Sequence, residues 1–288
     1  MFRIASGSVI GKSHIRLGRN NQDAYAHAKI ADEVFAVVCD GCGSGMNSEV
    51  GAQIGCRIIL DELQNNYLMM GWCEDPSQNL ELALKDIQNR IVDKILRIAY
   101  KMDVNLPSVI KDYFLFTIIV AVIGYEKSFV ASIGDGFYAI NDEVTSIGPF
   151  ENNAPPYIAY NAIPNAVNHS IIKEKMSFKI HSVIDTKDVK NILIATDGVE
   201  DILRNELNVV PGKKSNFVGS LDQFWTNDLF FNNKAALDRR LVQLARDSSK
   251  INGGLLVHER GYLMDDTTII SIRRKQDECL SEREENTD

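Results

Sequence analysis

The chain has 288 residues, 45% of them apolar and 24% charged, a globular composition with enough apolar material for a large core. Its formal net charge of −8, with no Lys/Arg run that offers a phosphate-backbone track, argues against a nucleic-acid footprint. No apolar stretch reaches the ~20 residues that span a bilayer, and the first residues lack the charged start and apolar middle of a signal peptide, so a cytoplasmic protein without membrane contact is expected.

Residues 2–10 and 23–30 read as strands joined by a polar, Gly-rich loop. Residues 34–39 form an apolar run into Asp40-Gly41, followed by a Gly/Ser loop to Gly45. Two helices come next. The first, about 48–69, carries Val50, Ile54, Ile58 and Ile59. The second, about 77–101, sets Leu80, Leu84, Ile87, Ile91, Ile95 and Ile98 on one stripe, with Lys85, Asp86, Arg90 and Asp93 off it. That 3.6-residue period marks a core-facing surface. From Tyr113 to Ile147 the chain is β-branched and aromatic with short turns, and predicts strands at 113–124, 127–133, 137–140 and 144–147. Residues 148–168 hold Pro149, Pro155, Pro156 and Pro164. This long irregular loop either shapes substrate access or is a surface excursion. Residues 169–180 alternate in part, 190–196 read as an apolar strand, and 199–206, 219–226 and 233–247 are helix-like. A last strand is predicted at 268–273.

Blocks of strands separated by blocks of helices do not suit a parallel βαβ sheet. They predict an α+β fold with two antiparallel sheets packed together and helices outside. One domain is expected over 1–274, with a charged, disordered tail over 275–288.

Three apolar runs each end in Asp-Gly: Asp40-Gly41, Asp135-Gly136 and Asp197-Gly198. A single case is ordinarily a turn. Three of them, together with Gln22-Asp23 and Asp265-Asp266, suggest carboxylates gathered around hard cations. The histidines, His14, His27, His169, His181 and His258, show no ligand spacing, so imidazole-held zinc is not expected. Oxygen-only sites suit Mg²⁺ or Mn²⁺. Five cysteines, Cys39, Cys42, Cys56, Cys73 and Cys279, form no disulfide framework and fit a reducing compartment. Cys39 is expected to be buried and Cys42 to lie in a loop. The chain has no G-x-S-x-G elbow and no P-loop.

In order along the chain stand Asn21-Gln22-Asp23-Ala24, Cys39-Asp40-Gly41-Cys42-Gly43, Gly134-Asp135-Gly136, Ala195-Thr196-Asp197-Gly198-Val199-Glu200-Asp201 and Asp265-Asp266-Thr267-Thr268. In this order they resemble the metal-dependent protein phosphatases of type 2C, in a divergent bacterial branch, from about Ser6 to Arg273. The resemblance implies a four-layer α-β-β-α sandwich. It implies that Asp40 bridges two Mg²⁺ or Mn²⁺ ions, that the Gly41 carbonyl binds one, and that Asp197 and Asp265 complete the pair. Asp23 would act through water, and Asp135 with Asp197 would hold a third ion. Asp265 is chosen over Asp266 because the family's ligand lies three residues before a Thr or Ser, here Thr268. The implied catalytic residues are Asp40, Asp197 and Asp23. A hydroxide shared by the metals would attack phosphorus in line, without a phosphoenzyme.

Three departures stand out, one of them Gly43-Ser44 where the family usually has Gly-Gly. The family's phosphate-gripping Arg falls on Gly18, leaving Arg16, Arg19 or His14 as substitutes. Its frequent general-acid His falls on Cys42. The expected activity is hydrolysis of phosphoserine or phosphothreonine in proteins by a monomer. The alternatives are a catalytically weak module that binds phosphoproteins and a phosphatase of small metabolites.

Overall fold

The computed structural model describes residues 1–67, 76–151, 155–163, 176–253 and 255–275. In chain order the strands are Phe2–Val9 (β1), Asp23–Ile30 (β2), Glu33–Asp40 (β3), Ile118–Ile123 (β4), Lys127–Ile133 (β5) and Gly136–Ile140 (β6). Glu143–Ile147 (β7), Lys179–Asp185 (β8), Asn191–Ala195 (β9), Ser248–Asn252 (β10), Leu255–Glu259 (β11) and Thr267–Arg274 (β12) follow. The helices are Lys12–Leu17 (α1), Ser48–Tyr67 (α2), Pro76–Met102 (α3), Leu106–Tyr113 (α4), Glu200–Arg204 (α5), Gln223–Thr226 (α6), Asp228–Asn232 (α7) and Ala236–Ala245 (α8).

Ten strands form two five-stranded antiparallel sheets, ordered β1-β12-β9-β6-β7 and β2-β3-β4-β5-β8. Side-chain alternation then builds the layers. Along β3, Val34, Ala36 and Val38 face the other sheet, while Phe35, Val37 and Cys39 face helices α2–α4. Along β9, Ile192 and Ile194 face inward, while Leu193 and Ala195 meet Leu237, Leu241 and Leu244 of α8. Both faces of these strands are covered, which is why they read as continuous apolar runs rather than alternating ones. The four layers are those predicted.

The α3 stripe is buried from Leu80 through Ile95, and each fully buried aliphatic there contributes about 1.5–3 kcal/mol of transfer free energy. The α2 stripe differs from expectation. Val50 is exposed, and the buried face is Gly51, Ala52, Gly55, Cys56, Ile59, Leu60 and Leu63. Small residues carry that face because α2 lies close to the chain after α4. A Cβ on Gly55 would sit 2.3 Å from the Phe116 ring.

Four local expectations are corrected. The Gly-rich loop between β1 and β2 contains α1. The strand expected from Tyr113 begins only at Ile118, because Leu106–Tyr113 is helical: Asn105 caps it by accepting the Ser108 N–H, and a proline lies in its first turn. The partial alternation read at 169–180 reaches the observed strand only at its start: β8 runs Lys179–Asp185, and residues 169–175 lie outside the described residues. The helix expected over 233–247 is shorter, and a β10–β11 hairpin that sequence reading left out follows it. Of the loop at 148–168, residues 152–154 and 164–168 lie outside the described residues. Its described part turns inward, with Tyr157, Ile158 and Ala159 buried against the helical layer. The tail from 276 onward lies outside the described residues. Among the described residues, no helix is long and apolar enough to cross a membrane.

Candidate active site

The acidic strand ends converge on one edge of the sandwich. Asp23 opens β2 and Asp40 closes β3, and the two are cross-strand partners. Asp135 lies between β5 and β6. Those strands belong to different sheets, so Gly134–Gly136 is a crossover rather than a hairpin turn. Asp197 follows β9 at the start of a single 3₁₀ turn, Asp197–Val199. Gly198 is required there by close approach, since a Cβ would lie 2.0 Å from the Asp266 carbonyl oxygen. Asp265 immediately precedes the Asp266 that leads into β12.

Asp40, Gly41, Asp135, Asp197 and Asp265 line one cavity of about 330 Å³, together with His14, Gln22, Cys42, Thr117, Pro155 and Tyr157. Asp23 stands behind Asp40, 5% exposed. Thr196 Oγ1 donates to its Oδ2 at 2.7 Å, and its Oδ1 is buried without a hydrogen-bond partner.

Gathering so many carboxylates in a half-buried site disfavours their ionisation. Burial holds the Asp40 carboxyl well above the usual range, reinforced by repulsion from Asp23, Asp197, Asp265 and Asp135. Burial, then Asp265 and Asp135, pushes Asp197 up to about 6. Asp135 is raised by burial. Asp23 is raised by burial and then by Asp266, against hydrogen bonds from Thr196 and Thr268 that act the other way. A set of oxygen donors under mutual repulsion fits a hard divalent cation, whose charge would relieve it.

The three candidates for holding phosphate separate. Gly18 ends α1 in a left-handed conformation, φ 65°. Arg19 bonds the Gly43 carbonyl, Arg16 is exposed, and neither lines the cavity. His14, on α1, does line it. Its Nδ1 lies 2.8 Å from Asp266 Oδ2, without hydrogen-bond alignment. Donor atoms of His14, Asp265 and Asp266 all fall within 4.8 Å of one another, a proximity that histidine spacing could not reveal. Asp266 is already engaged, however, by the backbone N–H groups of Gly11 and Gln22.

Cys39 is fully buried. Cys42 is half-buried at the cavity wall, with Sγ 3.1 Å from Ser44 Oγ. Burial raises its thiol, but hydrogen bonds from Ser44, Tyr157 and the Ser44 and Gly45 amides outweigh that and lower it. Pro155 and Tyr157, from the loop expected either to shape substrate access or to be a surface excursion, line the cavity, while Thr196 was missed as a site residue. Thr196 sits inside a quoted motif, but its link to Asp23 spans 173 residues, and nothing local signals it.

A family model described as protein phosphatase 2C matches residues 10–241. No curated protein sequence matches the chain. Among solved structures, the chain is similar to a variant of a bacterial serine phosphatase, with TM-score 0.52 and 15% identity over 96% of this chain and 99% of that one. A second bacterial serine phosphatase variant matches with TM-score 0.50 and 14% identity over 95% and 98%. The serine/threonine phosphatase Stp1 from Staphylococcus aureus is also similar, with TM-score 0.48 and 13% identity over 96% of each chain. At these identities the likeness shows the fold alone.

Proposed function

Because the chain belongs to the protein phosphatase 2C family, we propose that it is a metal-dependent phosphatase that hydrolyses phosphoserine or phosphothreonine in proteins. One observation carries this reading: carboxylates from both sheets meet in one cavity. Asp40 closes β3, with Gly41 next to it, and Asp135 follows β5 of one sheet, while Asp197 and Asp265 flank β9 and β12 of the other.

Asp40, the Gly41 carbonyl, Asp197 and Asp265 would hold two Mg²⁺ or Mn²⁺ ions. Asp135, with Asp197, would hold a third, and Asp23 would act through water. Bound there, such ions supply Lewis acidity that acidifies water and neutralises phosphoryl charge. The protein's own part is to hold these acids in place. The β2–β3 ladder fixes Asp23 behind Asp40, and Thr196 ties Asp23 to the other sheet. Burial of the acids strengthens every charge interaction in the cavity.

The test is hydrolysis of a phosphopeptide with Mn²⁺, with and without chelator. Activity that needs the ion and is lost in Asp40→Ala and Asp197→Ala supports the reading; metal-independent hydrolysis overturns it. A second reading, a catalytically weak phosphoprotein-binding module, draws on Gly18 and Cys42, which stand where the family commonly has Arg and His. Tight phosphopeptide binding without turnover in Mn²⁺ would favour it. Preference for sugar phosphates over phosphopeptides would favour a metabolite phosphatase. The reading includes a cytoplasmic monomer.

A further inference from the structure

A second cavity, of about 1000 Å³, lies beside the acidic one. Among the described residues it is walled by α3, the end of β5, β7 with the chain after it, and the start of β8. The two cavities share a partition but no lining residue. Gly134 and Pro156 line this one, and their neighbours Asp135 and Pro155 line the acidic one.

Helix α3 presents Glu81, Leu84, Lys85 and Gln88 to this cavity, the i, i+3, i+4, i+7 spacing of one helical face. Glu81 and Lys85 are exposed, whereas Leu84 and Gln88 are buried. Gln88 is 8% exposed, yet its amide makes no hydrogen bond among the described residues. The polar pair across from it is already satisfied, with Ser132 Oγ and His181 Nε2 2.8 Å apart. A buried amide without a partner is costly, and a ligand with a complementary edge removes that cost. The remaining wall is apolar, with two rings, Phe150 and Phe178, beside Ile133 and Ile147. Lys85 and Lys179 are exposed and carry no ion pair among the described residues, and Glu81 is the one carboxylate in the described lining.

We propose that this cavity binds a nucleoside monophosphate, its base edge on the Gln88 amide and its phosphate on Lys85 and Lys179. A Gln amide offers a donor and an acceptor side by side, the pair that matches an adenine edge. Phenylalanine rings supply faces on which a base stacks. The volume and the mixture of apolar wall with few polar groups are those of a small-molecule site. A polypeptide lying along the free edges of β7 and β8 would bond to their main chains and leave Gln88 unpaired, so it suits the cavity less well. The assignment does not depend on the reaction at the acidic cavity.

The experiment measures AMP binding to the full chain by calorimetry in excess chelator, so that no metal in the acidic cavity grips the phosphate. AMP should bind with a Kd below about 1 mM. Gln88→Leu should weaken it by about tenfold, the scale of one or two hydrogen bonds. Lys85→Ala and Lys179→Ala should each weaken it by about threefold and reduce its salt dependence. Ser146→Trp, at an exposed position of the wall, should fill the cavity and abolish binding, with thermal unfolding confirming that the variant is folded. Absence of AMP binding to the wild type would overturn the proposal, as would binding left unchanged by both Gln88→Leu and Ser146→Trp. A raised KM for a phosphopeptide in Ser146→Trp, without AMP binding to the wild type, would assign the cavity to the substrate polypeptide instead. AMP binding with the predicted variant pattern, in a protein lacking Mn²⁺-dependent turnover, would uphold this site while refuting the proposed reaction.

Discussion

Asp23 and Asp40 are cross-strand partners at the cavity end of the β2–β3 ladder, two buried acids held side by side. Like charges opposite one another destabilise a ladder, so this rung is kept by something other than its own stability. Thr196, from the other sheet, supplies one restraint. Its hydroxyl donates to Asp23 Oδ2 at 2.7 Å, and its oxygen accepts the Thr268 N–H at 3.0 Å. One side chain thereby joins the two sheets beneath the cavity.

Thr196→Val keeps the shape and removes both bonds. It removes one donor to the buried Asp23 carboxyl and the acceptor of the Thr268 N–H, and should destabilise the protein by about 1–3 kcal/mol. Urea unfolding measures this. A change within experimental error would show that Thr196 is not the staple described.

The cluster predicts an unusual pH dependence for the metal-free protein. Asp197 titrates at about 6 in the fold, above its usual value near 3.9. Between those values the native state holds a proton that the unfolded chain has released. Stability contributed by this group is therefore greatest in acid and is lost as pH rises through about 6. Asp197→Asn removes the titration, so the difference in unfolding free energy between variant and wild type should grow from pH 4 to pH 7. A constant difference would contradict the shift.

The fold was legible where apolar runs were long. The α3 stripe is read correctly because its 3.6-residue period is sustained over several turns, and the β3 and β9 runs because burial on both faces leaves continuous apolar runs. Legibility failed at α1, whose six residues are too few for a helical period to emerge, and at β10 and β11, whose Ile251, Leu255 and Leu256 are exposed and follow no core pattern. In the site, the Asp-Gly endings and the motif order pointed to Asp40, Asp135, Asp197 and Asp265, which line one cavity. The roles of Asp266 and Thr196 were hidden, because both depend on partners more than 70 residues away. The choice among Arg16, Arg19 and His14 depended on the hidden turn of α1, which brings His14 to the cavity and leaves Arg16 outside it.

The inter-sheet core should govern the site's rigidity. Ile270 is 0% exposed between the sheets, on the strand that Asp265 leads into. Ile270→Ala should cost about 2–5 kcal/mol through lost burial and a residual cavity. Thermal unfolding of the metal-free variant reads this directly, and a loss below about 1 kcal/mol would mean that the layer collapses around the gap.

The converging acids are proposed to form a divalent-metal centre that hydrolyses phosphoprotein. Titrating Mn²⁺ into the chelator-stripped protein, while following phosphopeptide hydrolysis and thermal stability together, tests this. Activity and melting temperature should rise over the same Mn²⁺ range, as ligand binding to the native state requires, and Asp40→Asn should remove both responses. Phosphopeptide hydrolysis that survives chelation, or an Asp40→Asn variant that responds to Mn²⁺ like the wild type, would contradict it.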